Sequence, residues 1–130
     1  HTTGDAGVIF RGQNAVHLGD VFNMSGYPFI DVDSGGDLDG MIRFCSSVLA
    51  EINEETRVIP GHGQVSDYQG PKDYIAMLKT VRGRVAALIG EGADLDTVAG
   101  ALPTAEFDEK FGDPTAFLNR VYASLTRVGR

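Results

Sequence analysis

The stretch Ala15-Val16-His17-Leu18-Gly19-Asp20 decides how the chain is organised. Ala15 to Leu18 reads as a short strand with alternating apolar positions, and Gly19-Asp20 ends it. Working upstream, Gly7-Val8-Ile9-Phe10 reads as a second strand. Arg11-Gly12-Gln13-Asn14 lies between the two as a turn cluster, which makes a hairpin with a loop of about four residues. Working downstream, residues 23–37 are rich in Gly, Pro, Ser and Asp and read as a loop. Leu38, Met41, Ile42, Cys45, Val48, Leu49 and Ile52 then recur at helical spacing, with Asp37 placed to cap, which predicts a helix over 38–53.

A third strand is expected from Thr56 to Ile59, stopped by Pro60 and Gly61. Gly70-Pro71 opens a long helix with proline at its first helical position. Its apolar stripe is Tyr74, Met77, Leu78, Val81, Val85 and Leu88, and Gly90 and Gly92 close it. Asp94 is suited to cap a short helix over 95–101. Asp113-Pro114 begins the last helix, whose stripe is Phe117, Val121, Tyr122 and Leu125. The expected fold class is α/β of the α+β kind: a small, mostly antiparallel sheet packed by helices.

The 130 residues suffice for one domain with a core. A formal charge of −7, with no two basic residues adjacent, argues against a nucleic-acid or anionic-membrane surface, since both need clustered Lys and Arg. No apolar run reaches the roughly 20 residues of a membrane span. The single cysteine, Cys45, falls in the apolar stripe of a helix and reads as a small buried hydrophobe. One cysteine leaves the redox compartment open, with periplasm and cytoplasm both compatible.

Three places carry potential chemistry: His1-Thr2-Thr3-Gly4-Asp5, His17-Leu18-Gly19-Asp20 and Pro60-Gly61-His62-Gly63. Each sets a possible metal ligand beside a glycine at the edge of an expected strand, where the backbone can turn sharply. Imidazole and carboxylate together suit a hydrolytic zinc site. Each motif alone is weak: Gly-His-Gly is commonly a turn, and His17 inside a strand reads as packed or solvent-facing. A further run, Asp31-Val32-Asp33-Ser34-Gly35-Gly36-Asp37, begins like a calcium loop. Gly35 and Ile42 stand where that pattern needs acidic ligands, so it reads instead as a loop capping the next helix. The N–H groups near Gly35 and Gly36 could also hold a small anion at that helix start.

In this order the three motifs resemble the third, fourth and fifth motifs of the metallo-β-lactamase superfamily: H-T-x-G-D, then H-x-G-D after a strand, then I-P-G-H-G after another. Gly19-Asp20-Val21-Phe22, Tyr27-Pro28-Phe29, Asp33-Ser34-Gly35-Gly36 and Val85-Ala86-Ala87-Leu88-Ile89 are similar to a bacterial branch of it. The resemblance covers nearly the whole chain and is less specific beyond residue 92. It implies that residues 1–130 are the C-terminal half of an αββα sandwich. It implies that His1 binds a first metal, His62 a second, and that Asp20 bridges the two and is the catalytic carboxylate. Asp5 would support the ligand loop, and Tyr27 would either face substrate or pack under its Pro turn.

The departure from the family is its upstream H-x-H-x-D-H motif, which nothing in these 130 residues matches; the three histidines are His1, His17 and His62. The implied cofactor is zinc, two ions in the complete fold and one weak ion or none here. The expected function is a fragment of a hydrolase that cleaves an ester, thioester or amide (lactam) bond of a small molecule with a metal-activated water, inactive alone. Two alternatives stand beside it: a non-catalytic half-domain that serves as a structural or binding partner, and one chain of a split enzyme. The expected partner is an N-terminal half or a second copy of the chain.

Overall fold

The computed structural model describes residues 1–127. Its sheet has three strands in the order β1-β2-β3: β1 (Val8–Phe10), β2 (Ala15–Asn23) and β3 (Arg57–His62). The helices are α1 (Leu38–Leu49), α2 (Gln69–Gly90), α3 (Leu95–Gly100), α4 (Asp108–Phe111) and α5 (Thr115–Thr126). This is a mixed α and β fold with a small sheet, as the periodicities predict. The sheet itself is mixed. The β1·β2 hairpin is antiparallel, whereas β2 and β3 run parallel. Parallel neighbours need a long crossover, and α1 lies within the segment that supplies it.

The Asp37 and Asp94 caps are built as read, whereas α2 begins at Gln69, two residues before Pro71. The Asp37 carboxylate accepts the Gly40 N–H at 2.6 Å, and Asp94 accepts the Thr97 N–H at 2.8 Å, each satisfying an end N–H that has no partner within its helix. The helix expected over 38–53 ends earlier, at Leu49. Asn53 instead builds a turn, its N–H donating to Thr56 Oγ1 and its side chain accepting the Glu55 N–H. Short α4 was not legible in the periodicity because one turn is too short to show a stripe.

One face of the sheet is covered. Val16 and Val58 pair across β2·β3 and are fully buried with Leu18. They share one core with Leu38, Met41 and Cys45 of α1, Tyr74, Leu78 and Val81 of α2, and Phe117 and Val121 of α5. The Tyr74 hydroxyl, buried with its ring, donates to the Val21 carbonyl at 2.9 Å, which spares the core an unpaired polar group. Cys45 is buried as expected, and burial pushes its thiol up to about 12.

The other face is open. Register places Val8 beside His17 and Ile59, and Phe10 beside Ala15 and Arg57; paired residues share a face. Val8 is 50% and Phe10 45% exposed. Of the four alternating apolar residues of the hairpin, Val16 and Leu18 therefore lie under the helices, and Val8 and Phe10 form part of the uncovered side. Among the described residues, no helix is long and apolar enough to cross a membrane.

Candidate metal centre

Strict alternation along β2 would turn Asp20 inward, since Val16 and Leu18 face the core. It does not, because the β2·β3 register shifts on both sides of Gly19. Gly19 has φ +60, the left-handed conformation that a bulge glycine supplies. The bulge breaks the alternation: Asp20 emerges with its side chain 46% exposed, and Val21 and Phe22 are both buried. The Gly19 N–H donates to His17 Nδ1 at 3.0 Å. His17 is thus a solvent-facing residue of the strand that satisfies the bulge. It follows that β2 continues to Asn23, where the sequence predicts an end at Gly19-Asp20.

The third strand also runs further than expected. Pro60 and Gly61 do not stop β3, which continues to His62. β3 is an edge strand, where a residue without an N–H is tolerated. Pro60 pairs with Gly19, and His62 pairs with Asn23. Gly61 is needed because β3 crosses Asp20 closely. A Cβ there would overlap the Asp20 carboxylate and lie 2.7 Å from the Gly19 carbonyl carbon.

These two features bring three expected residues together. His62 Nε2 lies 3.1 Å from Asp20 Oδ1, and His1 Nε2 lies 3.9 Å from Asp20 Oδ2. Each imidazole faces a different oxygen of one carboxylate. Two donors on one tetrahedral zinc, at 2.0–2.1 Å each, stand about 3.3 Å apart, and the two separations bracket that value. Among the described residues, no group of three or more His, Cys, Asp or Glu is placed to hold one ion. In type, the donors fit zinc. In number, each half offers two protein ligands where a catalytic zinc normally takes about three.

Asp5 stands behind His1. Its Oδ1 lies 3.0 Å from His1 Nδ1, and its other oxygen accepts the Thr2 N–H. Holding Nδ1 leaves Nε2 as the free nitrogen facing Asp20. This is the arrangement by which an outer carboxylate fixes the tautomer and the angle of a ligating histidine.

Tyr27 packs rather than facing a cleft. Its ring stacks on Phe117 at 4.7 Å and on Phe111 at 5.2 Å. Its hydroxyl donates to Asp108 Oδ1 at 2.6 Å. Burial and that hydrogen bond hold its pKa above the ordinary phenol value. The Tyr27 loop is thereby tied to α4 and α5. The calcium-like run is likewise occupied. Asp31 accepts the Ser34 N–H, Asp33 pairs with Arg120 at 3.1 Å, and Asp37 caps α1. The Gly35 and Gly36 N–H groups donate to the carbonyls of Val32 and Asp31, so they are not turned to an anion.

Sequence reasoning missed the link between the 31–36 segment and His1. The Asp31 N–H donates to the His1 carbonyl at 3.0 Å, and the Thr3 N–H to the Ser34 carbonyl at 3.4 Å. The adjacent pair Gly35-Gly36 was its only signal. Comparison of the sequence with protein-family models and with curated proteins finds no match.

Proposed function

We propose that these 130 residues are the C-terminal half of a zinc-dependent hydrolase of the metallo-β-lactamase kind. The observation that carries this reading is the Asp20 carboxylate between two imidazoles, one on each oxygen, at the edge where β2 and β3 emerge. The proposed substrate is a small molecule with an ester, thioester or amide carbonyl.

His1 and Asp20 would hold one ion, and Asp20 and His62 the other. When bound, zinc supplies Lewis-acid polarisation and brings the pKa of a water toward about 7. Within this chain, Asp5 keeps the His1 ring oriented by accepting at Nδ1. Asp20 supplies the negative charge that balances two cations, and its 46% exposed side chain leaves it reachable from solvent. The remaining ligands belong to an H-x-H-x-D-H segment supplied with the N-terminal half, in the same polypeptide or a separate one. The open sheet face, with Val8, Phe10 and Ile59, is the surface proposed to receive that half or, in its place, a second copy of the chain. Exposed apolar surface of this kind tends to be covered. A non-catalytic half-domain would use the same face and would need no zinc.

Complementation tests this. The isolated chain with excess zinc should give no turnover of a generic ester, thioester or β-lactam. Adding the N-terminal half should restore turnover, and Phe10→Lys on the open face should prevent the restoration. Robust turnover by the isolated chain would contradict the division into halves. A zinc-free complex without turnover would favour the half-domain.

A further inference from the structure

We infer that residues 31–36 form a clasp that positions His1 as a metal ligand, and that Gly36 is its positioning residue; this rests on the zinc reading above. The clasp grips the backbone of the 1–3 segment and leaves the imidazole free. The Asp31 N–H donates to the His1 carbonyl at 3.0 Å, and Ser34 accepts from both the N–H and the hydroxyl of Thr3. The clasp is closed on itself by the Gly36 N–H donating to the Asp31 carbonyl at 2.8 Å. It is anchored from below by Ile30 and Val32, both buried in the core. From outside, Asp33 holds Arg120 of α5, whose guanidinium lies 4.6 Å from the Phe29 ring centroid.

Two glycines let the segments approach this closely, and they differ in a useful way. A Cβ on Gly36 would overlap the His1 carbonyl and reach 3.0 Å from the Asp31 carbonyl oxygen. Both obstacles are backbone, so the 1–3 segment would have to move. A Cβ on Gly35 would meet the Thr3 Cγ2 methyl at 2.6 Å. That obstacle is a side-chain tip, and deleting it removes the clash, leaving only the backbone strain of an alanine at the left-handed Gly35, φ +81. The His1 ring is therefore fixed at its Nδ1 by Asp5 and through its backbone by the clasp, before any ion arrives. Pre-set ligands of this kind are what a precise metal site needs.

Zinc titration by calorimetry, combined with amide hydrogen exchange, tests the clasp. Gly36→Ala should weaken zinc binding about 10–100-fold, the range for losing an outer support of a ligand. It should expose the Asp31 amide to exchange while the amides of Val16 and Leu78 stay protected. Gly35→Ala should weaken binding less, and adding Thr3→Ser, which deletes the methyl but keeps the hydroxyl bonded to Ser34, should recover the part of the loss that the clash causes; this pair carries the test if Gly36→Ala does not fold. Unchanged zinc affinity in Gly36→Ala, or no recovery by Thr3→Ser, would overturn the clasp as a positioning device. If the parent chain takes up no zinc, as two ligands per ion allow, the same titration is read on its complex with the N-terminal half, and no uptake there overturns the metal reading and the positioning role with it. Asp31 protection would then still report whether the segments are clasped.

Discussion

Asp20→Ala should lower zinc affinity by more than about 100-fold while leaving the fold nearly as stable as before. The affinity loss should exceed the 10–100-fold typical of an outer partner, because Asp20 is the one carboxylate that both imidazoles face. Without it, His1 and His62 share no anionic ligand. The stability change should stay within about 0.5 kcal/mol, as for surface positions generally, because the side chain is 46% exposed. Asp20→Asn separates the causes further. It keeps the size and one oxygen acceptor but removes the charge, so it should bind between the two. Calorimetric titration and thermal melting of the same samples check both halves. Equal loss of stability and affinity would mean that Asp20 acts by holding the strand ends together.

Phe22→Ala should have the opposite profile, a loss of about 3–5 kcal/mol of stability, as for large aromatic truncations in cores. Phe22 is fully buried two residues beyond Asp20 and meets Tyr74 edge-on at a centroid distance of 5.0 Å. It secures the end of β2 to α2, so the cavity left by alanine would open where the sheet carries its polar residues. A fall in melting temperature of about 10–20 °C is expected for a chain of this size. A loss below about 1 kcal/mol would show that α2 closes over the gap. Phe22→Leu should lose less, since most of the volume remains.

The helices were legible because their stripes are long. Tyr74, Met77, Leu78, Val81 and Val85 face one way over more than three turns, and all are buried. Asp37 and Asp94 could be read as caps because capping is a local interaction. The strands were legible in place but not in length. Gly19 and Pro60 are breakers by composition, yet here they pair with each other across β2·β3. Whether a breaker ends a strand depends on its neighbour in space, and an edge strand and a bulge glycine remove the conflict.

The same limit applies to the candidate site. His1, Asp20 and His62 could be selected as residues of the right type. Their convergence depends on the broken alternation at Gly19 and on the close crossing at Gly61, and neither has a signature beyond the glycine itself. Asp5 was legible only as a support of the ligand loop or a plain turn residue, although its contact with His1 is local. Tyr27 was open between two roles. Its partners Asp108, Phe111 and Phe117 lie in elements too remote in sequence for pattern to connect. The clasp on His1 was hidden for the same reason, since its bonds are main-chain and span some thirty residues, as the contact of Thr3 with Ser34 does.

The central claim is that His1 and His62 flank Asp20 as metal ligands and that His17 does not. The chain's three histidines make this directly measurable. In a nitrogen-detected imidazole spectrum followed through a zinc titration, each ring reports for itself. His1 should bind through Nε2, with Nδ1 retained by Asp5, and His62 should bind through Nε2 on the other side of the carboxylate. His17, whose Nδ1 accepts the Gly19 N–H on the open sheet face, should not move and serves as the internal reference. Saturating shifts of the His1 and His62 resonances are expected, both lost in Asp20→Ala, with His17 unchanged. Shifts of all three histidines together, or shifts of His1 and His62 that survive in Asp20→Ala, would contradict the central claim.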